Sequence, residues 1–223
     1  MSFFHRAKFV FYNSIFYDAI LAFRQEKAYI VWKFLGTSNT RKLTPHRVKQ
    51  KAIIEYSKLF SLTTLVESGT CLGEMVNAVK RHFRTIYSIE LDKDLYQRVK
   101  SKFARFKHIF ILNGDSVKAL PEILEKIHTM WLFWMDAYYS GGITTKGDLQ
   151  TPIVQELRLI INHPLALQNV ILIDDARCFV GANDYPSIQQ IKDFIEKQGF
   201  SLAVEVKESI IRIHRKFNGD ANS

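Results

Sequence analysis

The residue types able to do chemistry in this chain gather at short turns that follow apolar runs. The first is Leu65 to Gly73, Leu-Val-Glu-Ser-Gly-Thr-Cys-Leu-Gly. Two apolar residues run into Glu67, then Gly69 and Gly73 flank a turn before a helical pattern begins at Glu74. Glycine serves where backbone turns sharply or lies against a ligand, and a helix N-terminus offers unpaired N–H groups to that ligand. A second run, Thr85 to Ile89, ends in Glu90, 23 residues after Glu67. A carboxylate so placed can accept hydrogen bonds from both hydroxyls of a ribose. Together the two features point to a nucleoside-containing cofactor across adjacent strand ends. The spacing is Gly-x-x-x-Gly, with Cys71 where the dinucleotide fingerprint requires glycine.

Three later runs also end in acids: Asp115 with Ser116, then Asp136, then Asp174 with Asp175. A single strand-end Asp is commonly a turn former or helix cap. Several on one rim repel each other unless a ligand or cation offsets them. Asp136, Asp174 and Asp175 are hard oxygen ligands without clustered Cys or His, a set that favours Mg2+, which could hold and activate a substrate hydroxyl. Between Asp136 and the next helix, residues 137–148 carry three glycines, Tyr138, Tyr139 and Lys146, a composition suited to a substrate-meeting loop. His163 precedes its strand and so lies at the wrong end; His5 and His46 reach the rim only if the arm before them folds over it. The general base therefore falls to Lys146, a tyrosine such as Tyr139, a carboxylate or a metal-bound hydroxyl.

The elements that must position these residues alternate regularly. Strands are read at Thr63 to Glu67, Thr85 to Glu90, His108 to Asn113, Trp131 to Asp136 and Asn169 to Asp174. Helices fall near Glu74 to Phe83, Lys93 to Phe106, Val117 to His128, Thr151 to Asn162 and Ser187 to Gln198. Right-handed strand–helix–strand units make a parallel sheet covered on both faces, and ligands bind outside the carboxyl ends of its strands. Leu202 to Val206 and Ile210 to His214 read as an antiparallel hairpin at the sheet edge, turning at Lys207-Glu208-Ser209. Before the first strand, Thr44 as cap and Pro45 at the first position open a helix whose apolar residues are Val48, Ala52, Ile53, Tyr56 and Phe60. The expected fold is thus α/β, a Rossmann-like, doubly wound, seven-stranded, mostly parallel sheet with a C-terminal antiparallel hairpin and an N-terminal helical arm. The arm covers residues 1–43, the domain 44–217, and 218–223 form a disordered tail.

The chain of 223 residues suits one domain plus an extension, and its two cysteines, Cys71 and Cys178, give no disulfide framework, so a reducing cytoplasm is expected. The net charge of +9 is concentrated: residues 1–60 carry 11 Lys plus Arg against 3 Asp plus Glu, while the remainder is nearly neutral. That distribution gives little support to nucleic-acid binding by the core. The arm mixes aromatics with Arg6, Lys8, Arg24, Lys27 and Lys33; its longest uncharged run, Phe9 to Tyr17, falls short of the ~20 residues a spanning helix needs, and it has no secretory-signal pattern. Three roles remain for it: packing on the core or on a second subunit, contact with a membrane surface or an acidic glycolipid, which would make the protein peripheral, or a lid over the active site.

From about Thr63 to Lys216 these residues resemble class I S-adenosylmethionine-dependent methyltransferases. Glu67-Ser-Gly-Thr-Cys-Leu-Gly73 is similar to the Glu-x-Gly-x-x-x-Gly form of the first motif in metal-dependent O-methyltransferases of the catechol and macrocin types. Ile89-Glu90-Leu91-Asp92 looks like their ribose-binding motif. The loop from Asp136 to Gly142 also resembles methyltransferase-like proteins of polysaccharide loci. The resemblance implies that Glu67, Gly69, Thr70 and Gly73 shape the methionine end of the cofactor site, Glu90 holds the ribose, and Asp115 with Ser116 meets the adenine. It places Mg2+ on Asp136, Asp174 and Asp175. Asp175 stands where the catechol type has Asn, Tyr139 where it has its lysine, and Tyr138 where the polysaccharide-locus group has His, leaving Lys146 as a substitute base. The implied activity is methyl transfer to a hydroxyl of a sugar, glycan or small phenolic molecule, with a homodimer compatible. The rivals are a nicotinamide-dependent oxidoreductase, disfavoured by Cys71 and the closing hairpin, and a non-catalytic binding module.

Overall fold

The computed structural model describes residues 15–34, 44–136, 152–182 and 184–216. Helix α1 (Ile15–Phe34) is followed by α2 (His46–Leu59), and then strands and helices alternate: β1 (Thr64–Ser68), α3 (Glu74–Val79), β2 (Thr85–Glu90), α4 (Lys93–Phe103), β3 (Ile109–Asn113), α5 (Ser116–Lys126), β4 (Trp131–Met135), α6 (Ile153–Ile161) and β5 (Val170–Ile173). After β5 come α7 (Ile188–Lys197), β6 (Leu202–Lys207) and β7 (Ile210–Arg215). The strands form one seven-stranded sheet in the order β3-β2-β1-β4-β5-β7-β6. Five are parallel; β7 runs antiparallel to β5 and to β6. The expected architecture, closing hairpin included, is the one observed.

Period-two alternation of the strands explains the layering. Val66, Ile89, Phe133, Met135, Ile171 and Ile173 face one core with the apolar stripes of α5, α6 and α7. Leu65, Ile86, Leu132, Trp134, Val170 and Leu172 face the other with α2, α3 and α4. Strands β1, β4 and β5 are buried along their whole length, which is why β4 and β5 read as unbroken apolar runs.

Two local readings are corrected. Thr44 does not cap α2: its hydroxyl donates to the Glu208 carbonyl at 2.9 Å, and Pro45 occupies the cap position without a side-chain hydrogen bond. The hairpin turn is two residues, Glu208 and Ser209, both in the left-handed region (φ 57° and 58°), since that backbone twist matches the twist of the flanking strands. Because β7 is antiparallel to β5, this turn lies at the carboxyl ends of the parallel strands, where the Ser209 carbonyl accepts from the Ala176 N–H at 2.8 Å. Thr44 thereby fastens the start of α2 to the rim at the carboxyl ends of the strands.

Candidate cofactor and cation site

The turn after β1 is built by backbone bonds to the end of β2: the N–H groups of Gly69 and Thr70 donate to the Ile89 carbonyl at 3.0 and 3.2 Å. Gly69 has φ +89°, and a Cβ there would stand 2.8 Å from the Asp136 carbonyl oxygen, so glycine lets the first turn and the β4 exit close up. Gly73 has φ +69° and faces the Phe103 ring. Cys71 adopts a left-handed φ of 50°, and its N–H donates to Glu90 Oε2 at 2.7 Å. The other Glu90 oxygen accepts from the Asp92 N–H at 2.9 Å. Each carboxylate oxygen keeps a further lone pair, so the carboxylate is oriented and still able to accept from two hydroxyls. Burial pushes the Glu90 carboxyl above its usual value, against the pull of the Asp92 and Cys71 N–H groups. Asp115, one strand over, caps α5 by accepting from the Val117 N–H at 2.8 Å, with Ser116 as the first helical residue.

Beneath this edge lie two carboxyl groups closed off from water. Glu67 accepts from the Ser88 hydroxyl, which in turn meets the Thr70 hydroxyl at 2.6 Å. This chain ties β1, β2 and the turn together. Burial raises the Glu67 pKa to about 8, so that at pH 7 the group is mainly neutral. Glu156, on α6, is fully buried against Ser116 and Ser68, and its oxygens find no partner of hydrogen-bonding geometry. Burial raises its pKa to about 7.

The aspartates of β4 and β5 come together as expected, since the strands are neighbours and the Asp174 N–H donates to the Met135 carbonyl at 2.9 Å. What they surround is a lysine. Lys49, in the first turn of α2, donates from Nζ to Asp174 Oδ2; the two side chains are 14% and 2% exposed. Burial alone would lower the lysine's pKa, but the charges of Asp174, Asp175 and Asp136 outweigh it and hold the ammonium above the usual value. Asp175 has φ 51° and pairs through Oδ2 with Arg177 at 3.2 Å, while its Oδ1 is buried without a partner. His46, one turn before Gln50, stands beside Lys49: burial and the Lys49 charge push its pKa down to about 4, so the imidazole is neutral at pH 7, and its Nε2 is buried without a hydrogen bond.

A divalent ion would have to displace an ammonium already bound to Asp174 and then sit beside it. Among the described residues, no group of three His, Cys, Asp or Glu is arranged to hold a metal ion. The donor set as it stands does not fit Mg2+. Tyr139 and Lys146 lie outside the described residues. Lys49, His46 and Glu156 did not emerge as site residues from the sequence. An open cleft of about 440 Å3 between α6 and α7, lined by Val154, Leu157, Tyr185, Pro186 and Phe194, involves none of the expected site residues.

No protein-family model matches the chain, and no curated protein matches it by sequence. Solved structures do match in fold. The SAH-bound methyltransferase PaMTH1 of Podospora anserina superposes with a TM-score of 0.53 at 14% identity, over 77% of this chain and 79% of that one. The O-methyltransferase of Bacillus cereus in complex with SAH gives 0.51 at 14% identity, over 89% and 90%. TomG, the Streptomyces achromogenes O-methyltransferase of tomaymycin synthesis in complex with SAM, gives 0.50 at 16% identity, over 75% and 80%. The fold is therefore that of class I S-adenosylmethionine-dependent methyltransferases.

Proposed function

We propose that this chain is an S-adenosylmethionine-dependent O-methyltransferase whose acceptor is a hydroxyl of a sugar or glycan. The observation that carries the cofactor assignment is Glu90: a buried carboxylate at the end of β2, oriented by the Cys71 and Asp92 N–H groups, beside a glycine turn whose backbone it touches. Gly69, Thr70 and Gly73 would line the methionine end and Asp115 with Ser116 the adenine. In the transfer, the sulfonium carbon–sulfur bond breaks as a carbon–oxygen bond forms, the thioether S-adenosylhomocysteine leaves, and the hydroxyl proton passes to a base. Among the described groups, the neutral His46 imidazole, whose Nε2 lies 3.7 Å from Glu74 Oε2, and the rim carboxylates are candidates to take it; Tyr139 and Lys146 are those offered by the sequence. Much of the rate would come from holding the acceptor oxygen in line with the methyl group. The cation facing Asp136 and Asp174 in this scheme is Lys49, in place of the Mg2+ expected from the three aspartates.

We assign α1 to an anionic membrane surface, which would make the protein peripheral. Its outward face carries Ile20, Phe23, Ile30, Val31 and Phe34, and Arg24, Lys27 and Lys33 are exposed on the same helix. No described helix is long and apolar enough to cross a membrane.

Isothermal titration with S-adenosylmethionine and S-adenosylhomocysteine, with NAD as control, tests the central assignment. Micromolar binding of both sulfur nucleosides and none of NAD is expected. Silence with both would remove the enzyme reading and leave a methyltransferase-like binding module.

A further inference from the structure

We infer that the Lys49 ammonium is the resident cation of the Asp136, Asp174 and Asp175 cluster, so that this rim works without a divalent metal. Four features of the structure support the assignment. First, Lys49 is not a surface side chain folded back by chance. It leaves α2 between Val48, Ala52, Ile53 and Tyr56, all buried, and so emerges from the packed side of the helix. Second, the start of α2 is fastened on several sides. Thr44 donates to the Glu208 carbonyl, Gln50 donates to Gln25 Oε1 at 3.0 Å, and Arg47 pairs with Glu26 at 3.3 Å. These contacts hold the start of α2, and with it the Lys49 stem, beside the rim.

Third, the charges are already apportioned. Lys49 takes Asp174, Arg177 takes Asp175, and Asp136 adds its field to that of the other two on Lys49. A doubly charged ion bound by the same oxygens would face an ammonium at contact distance in a buried setting, where like charges repel strongly. Fourth, an ammonium has three N–H donors, and Asp174 uses one. It can serve an acceptor oxygen as a point charge and hydrogen-bond donor, and its presence does not depend on ion concentration. Only the bearing on catalysis rests on the methyltransferase reading; the identity of the cation does not.

The test uses the full chain and Mn2+ as probe, followed by its electron spin resonance signal and by calorimetry, with S-adenosylhomocysteine titrated separately. The wild type should show no saturable Mn2+ binding up to about 1 mM, the upper range of weak hard-cation sites. Lys49→Met, which removes the charge and keeps the apolar stem, should gain a site for one Mn2+ that is lost again in Lys49→Met with Asp174→Asn. Lys49→Arg, which keeps the charge, should remain silent. Saturable binding of one Mn2+ by the wild type, abolished by Asp174→Asn, would overturn the inference. A folded Lys49→Met that binds no Mn2+ would overturn it as well, since the cluster would then not be a cation site. Should Lys49→Met fail to fold, the wild-type and Lys49→Arg titrations decide alone. Absence of S-adenosylhomocysteine binding would remove the cofactor assignment and leave the Mn2+ result standing.

Discussion

Glu156 is a fully buried carboxyl group beside Ser116 and Ser68, and its burial makes its protonation a stability term. Its folded pKa of about 7 lies above the 4.5 of an unfolded chain. Between those values the folded state holds a proton that the unfolded state has released, so stability is full below pH 4.5 and is lost as pH rises through 7. Glu67, at about 8, adds a loss of the same sign that continues further. His46, held at about 4 against 6.5 in an unfolded chain, acts in the opposite sense, its share of stability growing as pH rises from 4 to 6.5. The readout is therefore the difference between Glu156→Gln and the wild type in urea unfolding, which should grow in favour of the variant by up to about 3 kcal/mol from pH 5 to pH 8. A difference that stays constant over this range would refute the assignment of a neutral buried Glu156. At the cofactor edge, Glu90→Ala removes the acceptor that faces the ribose position. It should weaken S-adenosylhomocysteine at least about tenfold in calorimetry, the loss expected for charge-assisted hydrogen bonds. The unliganded fold should keep its circular dichroism.

At the scale of elements, most of the sheet was legible because buried parallel strands leave a plain trace, short mainly apolar runs with an acid at or just beyond the end of each. The cation was less legible, although its trace is also present. Lys49 stands in the middle of the stripe formed by Val48, Ala52, Ile53 and Tyr56, and Glu156 stands in the stripe of Ile153, Leu157, Ile160 and Ile161. A charged residue inside an apolar stripe must find a partner or give up its charge, and each does one of these. What the sequence does not encode locally is where the stripe's end arrives. That depends on the Thr44 bond to a turn 164 residues away. His46, expected at the rim only if the arm folds over it, is carried beside Lys49 by the same helix. The helix ends also shifted, since the pattern from Glu74 to Phe83 closes at Val79, where the His82 N–H turns back to the Val79 carbonyl at 2.8 Å. The glycine turn gives a prediction at this scale. Gly69→Ala combines a left-handed backbone with a clash against a backbone carbonyl, which cannot rotate away, and should cost about 2–4 kcal/mol in urea unfolding. Gly73→Ala, also at positive φ, meets the Phe103 ring at 2.7 Å and Val99 Cγ1 at 3.0 Å, both buried, and should destabilise to a similar extent. A Gly69→Ala variant as stable as the wild type would show that the β1 turn and the β4 exit are not rigidly apposed.

For the whole molecule, the distribution of charge and apolar surface decides how it presents itself. Helix α1 holds to the domain by polar contacts: Gln25 donates to Glu74 at 2.9 Å, Glu26 pairs with Arg47, and Lys51 stands 3.7 Å over the Tyr29 ring. Ile20, Phe23, Ile30, Val31 and Phe34 point the other way, Phe23 at 63% and Phe34 at 85% exposure. Among them Lys27 lies over the Phe23 ring, and Arg24 and Lys33 are exposed, within a 60-residue segment of net charge +8. An apolar face interleaved with cations matches the boundary between anionic headgroups and acyl chains. Each Lys or Arg near such a surface contributes about 1 kcal/mol, and that part is screened by salt. The full chain should therefore sediment with vesicles containing phosphatidylglycerol and not with phosphatidylcholine alone, and added salt should release it. Phe23→Glu with Phe34→Glu should lower the partition at least about 100-fold, since burying each ring is worth about 1.5–3 kcal/mol. Binding of S-adenosylhomocysteine should be unchanged in that variant, because neither residue belongs to the cofactor edge. If instead the wild type ignores anionic vesicles and light scattering shows a dimer that this double variant dissociates, the face joins two copies of the chain and the membrane assignment fails.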